Sequence, residues 1–224
     1  MRISEIFYSI QGEGSLVGVP SIFIRTSGCN LRCSWCDTPY TSWHPEGDEL
    51  PLDAILQRRA EWPQATHVVV TGGEPMIAPG IVELTNALRQ QGLHITIETA
   101  GTVFHPVACD LMSISPKLSN STPDGPFRQQ HERLRIQPEV LRQLIAHADY
   151  QLKFVIAEES DLAEAQALIA QLNAPPQKVV LMPEGISLEA QNARSLRVSD
   201  LAKQHGYRFT PRLHLYLYGN KRGT

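Results

Sequence analysis

Short apolar runs rich in β-branched residues recur along the chain, each bounded by polar or Gly-rich positions. They read as strands: SIFIRT (21–26), HVVVTG (67–72), HITIETA (94–100), DLMSISP (110–116), YQLKFVIA (150–157), KVVLMP (178–183) and RLHLYLYG (212–219). Between several of them the apolar period lengthens to that of a helix. Ile81, Leu84 and Leu88 share one face of IVELTNALRQQG, which stops at Gly92, a left-handed cap. PEVLRQLIAHA opens at Pro138, whose missing amide is harmless in a first helical turn. SDLAEAQALIAQLN offers Asp161 and Glu164 as a capping box, and a further helix runs from about Leu188 to Gln204.

Strand, helix and strand in repetition require a parallel sheet, because each crossover returns the chain to the same end. A full eightfold barrel takes roughly 250 residues. A chain of 224 residues with about six core strands therefore predicts a trimmed, partial parallel β/α barrel, a single domain over residues 1–224. The polar segments GCNLRCSWC, TGGEP, ETAG, SPK, MPEG and YGNKRG all follow strands rather than precede them. In barrels and open parallel sheets the loops at that edge converge on one mouth, so the mouth is where chemistry is expected. DTPYTSWHPEGDELPLD and NSTPDGPFRQQHERLR read as lids or connections.

Charge and composition narrow the setting. Twenty Lys and Arg against 23 Asp and Glu give a net charge of −3, so no positive field attracts a polyanion and free nucleic acid is not an expected partner. No apolar run has the length of a signal peptide or a membrane span, which predicts a cytoplasmic protein. Four cysteines, three of them within eight positions and the fourth (Cys109) in an apolar run, do not make a disulfide framework.

The three crowded thiols, Cys29, Cys33 and Cys36, sit at the predicted mouth and can converge on one centre of soft metal chemistry. Zinc would need a fourth ligand such as His44 or Cys109, and the site would then be closed and structural. A [4Fe-4S] cluster held by three cysteines instead leaves one iron open to a small molecule.

The spacing Cys29-x3-Cys33-x2-Cys36, with Trp35 before the last cysteine, resembles the radical S-adenosylmethionine (SAM) superfamily, in which SAM chelates the open iron. FYSIQGEG (7–14), PSIFIRTSGCN (20–30), WCDT (35–38), VVVTGGEP (68–75), IETAGT (97–102) and SISPK (113–117) together resemble the 7-carboxy-7-deazaguanine synthase family. The resemblance spans most of the chain and implies a partial barrel of radical SAM type. It implies that Cys29, Cys33 and Cys36 hold the cluster, and that Trp35, Cys36, Asp37, Gly73, Ser115, Pro116 and Lys117 line SAM.

The implied substrate is 6-carboxy-5,6,7,8-tetrahydropterin, met by Ile10, Gln11, Gly12, Glu13, Thr71 and His214, with Arg25 suited to a carboxylate by its planar fork. Thr38 would offer its hydroxyl to Mg²⁺, an ion that prefers oxygen. The implied reaction is a radical ring contraction with loss of ammonia, yielding 7-carboxy-7-deazaguanine on the route to queuosine and related 7-deazapurines. A homodimer and an electron donor such as flavodoxin or ferredoxin are also implied.

Taken without the resemblance, several of these residues read more plainly. Lys117 reads as a solvated lysine, Glu13 as a solvated glutamate, Thr38 as a turn or capping residue, and His214 as a structural histidine in a strand. Some relatives end soon after the matching histidine and bring their terminal carboxylate to the substrate. Here the chain continues through GNKRGT, so that role is not assigned to Thr224, and Lys221 and Arg222 read as solvated. Two other readings compete: a small radical SAM activase of a glycyl-radical protein, which does not predict the QGEG segment, and a zinc-binding interaction module.

Overall fold

The computed structural model describes residues 1–224. Its strands are β1 (Arg2–Ile10), β2 (Pro20–Thr26), β3 (Asp48–Glu49), β4 (His67–Gly72), β5 (His94–Thr99), β6 (Leu111–Ile114), β7 (Asp149–Ile156), β8 (Val179–Pro183) and β9 (Arg208–Phe209). They form one sheet in the order β3-β1-β2-β4-β5-β6-β7-β8-β9. From β2 to β9 every pairing is parallel, whereas β1 runs antiparallel to both β2 and β3. The two ends of the order do not pair, so this is the partial β/α barrel that the strand count predicts, and the six long parallel strands are β2 and β4 to β8.

The helices are α1 (Pro39–Ser42), α2 (Leu52–Arg59), α3 (Ile81–Gln90), α4 (Arg128–Leu134), α5 (Pro138–His147), α6 (Asp161–Leu172), α7 (Leu188–His205) and α8 (Leu213–Tyr218). Four of them, α3, α5, α6 and α7, are those read from the sequence. Their buried positions recur at helical spacing, such as Ile81, Leu84, Thr85 and Leu88 on α3, which is why a single stripe of each lies against the sheet.

Successive residues of a strand point to opposite faces. Val68 and Val70, Ile95 and Ile97, Met112 and Ile114, Leu152 and Phe154, and Val179 and Leu181 all belong to one buried apolar cluster shared with the helices. Their alternates, Thr71, Glu98, Ser113, Lys153 and Met182, line a cavity on the inner face. Deeper on that face Phe7, Phe23 and Val69 form a small apolar floor, with the two phenyl rings stacked at 5.0 Å.

Three sequence expectations fail. RLHLYLYG is not a strand: Leu213–Tyr218 is helix α8, so His214 sits on a helix and the GNKRG segment follows a helix. The alternation there is a short-range coincidence, because Arg208–Phe209 already fills the last ladder position beside β8 and only Leu215 of α8 is buried. Asp161 and Glu164 form no capping box. Asp161 accepts from the backbone of Ala157 and Glu158, each at 2.9 Å, while Glu164 accepts from Ser119 and Arg135. The sequence reading also places no strand before residue 21, whereas β1 is the longest in the sheet.

Candidate active site

One cavity of about 450 Å³ opens at the C-terminal ends of the parallel strands. It is lined by all three crowded cysteines and by every other predicted site residue except Pro116. Pro116 is buried between two lining residues, Ser115 and Lys117.

The cysteine loop leaves β2 and is fastened from several sides. Trp43 Nε1 donates to the Cys33 carbonyl at 3.0 Å, and Trp35 Nε1 donates to the Asn120 carbonyl at 2.9 Å. The Ser34 amide donates to the Ser121 carbonyl at 2.9 Å. Buried His131 of α4 accepts the Arg32 amide on Nδ1 at 3.2 Å and faces the Ser121 hydroxyl through Nε2 at 2.9 Å. The segments read as lids or connections are connections that act as supports: Trp43 at the end of α1 and His131 of α4 brace the loop.

All four cysteines are free thiols. Burial pushes the Cys29 thiol up to about 12, helped by the negative charge of Glu74, and the Cys33 thiol up to about 11 by burial against the pull of Lys117. Cys109 bonds toward the Ile95 carbonyl at 3.8 Å, near the N-terminal end of β5 and so at the opposite edge of the sheet. It is not a fourth ligand. No three His, Cys, Asp or Glu side chains are gathered tightly enough for one metal ion. Thiolates on a single zinc, each ~2.3 Å from it, would crowd to within about 4 Å of one another. Three free thiols lining one cavity are the donor set that suits an iron–sulfur group with three protein ligands.

Gly73 explains its own identity. A Cβ there would lie 2.2 Å from the Gly28 carbonyl oxygen and 2.6 Å from that of Thr41, so the TGGEP turn presses against the cysteine loop and α1. Next to it Glu74 is fully buried and accepts from the Met76 amide, the Thr99 hydroxyl at 2.7 Å and the Ala100 amide at 2.8 Å. It is a brace between β4 and β5 that sequence reading passed over.

Thr38 is the N-cap residue of α1, yet its side chain makes no capping bond. Its hydroxyl accepts from Thr41 Oγ1 at 3.2 Å and lines the cavity, which corrects the capping alternative. Lys117 is not a solvated lysine either. Its ammonium donates to Ser115 Oγ at 2.9 Å and sits 5.7 Å over the Trp35 ring.

Across the cavity the side chains are ionic. Glu13 is 13% exposed and holds Lys153 (7% exposed) on one oxygen and Arg212 (8% exposed) on the other, the latter at 2.9 Å. Burial alone would raise the Glu13 pKa, but Lys153 and Arg212 overturn it and hold the carboxyl well below the usual range. Arg212 also pairs with Asp37. Glu98 accepts from Gln11 Nε2 at 3.1 Å and Thr71 Oγ1 at 3.0 Å. Arg25 is largely buried: its Nε donates to Glu5 at 2.9 Å, its guanidinium lies 5.7 Å over the Phe7 ring, and it lines the cavity. His214 packs directly over Gly12, where a Cβ would fall 2.0 Å from the ring Nδ1. Burial lowers the His214 pKa, against the pull of Glu13.

The tail closes one side of this wall. Asn220, Lys221, Arg222 and Thr224 line the cavity. Arg222 is not simply solvated: it donates to Glu5 at 3.2 Å and to Glu46 at 2.9 Å, and lies 3.9 Å over the Tyr40 ring.

Glu98, Lys153 and Arg212 were missed in the sequence. For the first two a signal existed, a charged residue at an alternate position of an otherwise apolar strand, as in HITIETA and YQLKFVIA.

Comparison with known proteins agrees with this geometry. The signature of the Radical SAM superfamily matches residues 23–156. The chain is 47% identical to 7-carboxy-7-deazaguanine synthase of Rhodopirellula baltica over 100% of its own length and 89% of that protein. It is 43% identical to the enzyme of the same name from Halobacterium salinarum, over 98% of this chain and 91% of that one. The crystal structure of QueE from Escherichia coli superposes with a TM-score of 0.68 at 28% identity, covering 95% of this chain and 94% of the other. With three free thiols at a barrel mouth, a matching superfamily signature and full-length relatives of one name, the chain belongs to the 7-carboxy-7-deazaguanine synthase family of radical SAM enzymes.

Proposed function

We propose that this enzyme converts 6-carboxy-5,6,7,8-tetrahydropterin to 7-carboxy-7-deazaguanine with loss of ammonia, as a lyase that uses a [4Fe-4S] cluster, SAM and Mg²⁺. The observation that carries the reading is one cavity with two chemically different walls, three free thiols on one side and an ordered set of hydrogen-bonding and charged groups on the other. When bound, the cluster and SAM supply one-electron cleavage of a sulfonium and hence a 5′-deoxyadenosyl radical that takes hydrogen from the substrate. The residues of the chain bind, orient and shield.

Cys29, Cys33 and Cys36 hold the cluster, and Trp35, Asp37, Gly73, Ser115, Pro116 and Lys117 surround SAM. Gln11 and Glu13, with Ile10, Gly12, Thr71 and His214, read the guanine-like edge of the pterin. Arg25 keeps its Nε on Glu5, so its two outer nitrogens form the end-on fork that suits a carboxylate. The Thr38 hydroxyl, which accepts from Thr41 and lines the cavity, offers an oxygen to Mg²⁺, which takes most of its remaining ligands from water and substrate. A radical attacks neighbouring C–H bonds indiscriminately, so water must be excluded and the target carbon placed first. The apolar floor of Phe7, Phe23 and Val69 beneath, and the 220–224 tail beside, meet that requirement.

The activase alternative gives no reason for Gln11 to Glu13 to wall the cavity, and neither zinc candidate joins the three thiols there, since Cys109 lies at the opposite edge of the sheet and His44 is exposed and does not line the cavity. Anaerobic reconstitution followed by incubation with the carboxypterin, SAM, a reductant and Mg²⁺ tests the proposal. The expected result is a brown protein with about four irons per chain that forms the deazaguanine and responds to Mg²⁺. A fully loaded cluster that cleaves SAM yet never forms this product would overturn it.

A further inference from the structure

Arg212 stands immediately before α8 and sends each nitrogen of its guanidinium to a different segment. Nε donates to Glu13 Oε1 at 2.9 Å, Nη1 to the Gly185 carbonyl in the loop after β8 at 2.8 Å, and Nη2 to Asp37 Oδ2. The neighbouring Leu213 amide donates to the Gly12 carbonyl at 2.9 Å. Beyond Glu13 the bonding continues, since the Glu13 amide donates to Gln11 Oε1 at 3.1 Å and Gln11 Nε2 donates to Glu98 Oε1 at 3.1 Å. Glu98 Oε2 accepts from Thr71. An unbroken hydrogen-bonded path therefore runs from Asp37, the residue after Cys36, to Gln11 and Thr71 on the far wall.

The planar fork spreads its donors over three nitrogens in fixed directions, which reaches three separated acceptors; an ammonium gathers three rotatable donors on one atom and cannot span the same distances. Asp37 keeps 41% of its side chain exposed within the cavity it lines, so it has room to answer a ligand at its end of the path.

From this path we infer that Arg212 is a positioning residue that couples the binding of SAM to the binding of substrate. The inference rests on the function proposed above, which sets SAM against Asp37 and the pterin against Gln11 and Glu13. Each ligand fixes one end of the Asp37–Arg212–Glu13 bridge, and by linkage what one ligand gives the other is returned in equal measure. The chemical consequence is restraint: SAM alone meets an unregistered site, and the radical is made when its target is in place.

The experiment measures SAM affinity of the cluster-loaded protein with and without the carboxypterin, in wild type, Arg212→Lys and Asp37→Asn. Thermal unfolding and cluster absorbance verify that each variant is folded and loaded. In wild type the substrate tightens SAM by about fivefold or more, the lower end of ordinary allosteric coupling. Arg212→Lys brings that factor to about one, and Asp37→Asn, which spares the Glu13 contact, does the same. The ratio of 5′-deoxyadenosine to deazaguanine product rises in both. A coupling factor in both variants within about twofold of wild type, or an unchanged ratio while both rates fall in parallel, overturns the inference. Wild type that forms product without any coupling also overturns it and leaves the proposed function standing. Wild type that forms no product removes both.

Discussion

The two walls of the cavity solve opposite problems. On the thiol side Cys29 and Cys33 are buried groups whose pKa values burial pushes up, to about 12 and about 11. As the cluster ligands proposed above, they would lose their protons on binding metal, which is what displaces thiol protons at neutral pH. On the ionic side Glu13, Lys153, Arg212 and Asp37 neutralise one another within the chain. Burying those charges is tolerable only because the pairing is mutual. On the proposed function one wall supplies cluster ligands and the other is a set of charges already paired within the chain, so damage to them should read out differently, as lost cofactor on one side and lost folding stability on the other.

The sharpest way to break this contrast is at Cys33. Cys33→Ser is expected to abolish SAM cleavage and iron retention while leaving the chemical unfolding of the metal-free protein nearly unchanged; iron analysis beside a urea titration checks both. Glu13→Gln is expected to keep the iron and lose stability. It leaves Lys153 and Arg212 buried beside a neutral amide, and a cost of about 3 kcal/mol in unfolding free energy is expected, at the lower end for a broken buried pair. An equal loss of stability from the two changes would erase the distinction.

A smaller effect sharpens the ionic wall. Glu5 orients Arg25 and also accepts from Tyr40 and Arg222. Glu5→Gln is expected to raise KM for the carboxylated substrate about tenfold, or ~1.4 kcal/mol, with kcat little changed. A drop in kcat at constant KM would instead place Glu5 in the chemistry.

Acidity probes both walls through His131, beneath the cysteine loop, and His214, over Gly12. Burial depresses both below the ordinary 6.5. Below that value the unfolded chain takes up protons that the folded one refuses, so stability falls as pH drops through 6.5 toward the depressed folded values. Each unit of depression contributes about 1.4 kcal/mol when fully expressed. Urea unfolding at about pH 7.5 and about pH 5.5 measures the slope, and His131→Gln flattens it. Least affected is an exterior pair: Lys203→Ala, which removes the exposed contact with Asp200 at 2.6 Å, should change stability by less than about 0.5 kcal/mol.

The frame of the fold was legible because burial on the helix side of the sheet places Val, Ile, Leu or Met at alternate positions of successive strands. α3 and α5 were legible through their apolar spacing and end signals. β1 was not read, because RISEIFYSI mixes charged, aromatic and hydroxyl residues, as an antiparallel strand with one wet side does. α8 was misread since its alternating Leu residues read as a strand, whereas Arg208–Phe209 takes the place beside β8 and Leu213–Tyr218 turns into a helix with only Leu215 buried. Within the site, residues carried by contiguous motifs were found. Arg212 was not, because its three partners lie 27, 175 and 199 positions away in sequence, and no local pattern records such a meeting. Glu74 sat inside a recognised turn, but its role as a buried brace depends on Thr99 and Ala100 from the next strand.

The strict alternation of the parallel strands carries one more consequence, for how such an enzyme changes over time. Val70 and Thr71, Ile97 and Glu98, or Leu152 and Lys153 are single peptide steps apart, yet one of each pair belongs to the core under the helices and the other lines the cavity. Drift in the first set retunes robustness, and drift in the second retunes selectivity. A library confined to inward positions could therefore explore new heterocycles on an unaltered chassis, and the robustness of that chassis could be raised independently from the outward ones.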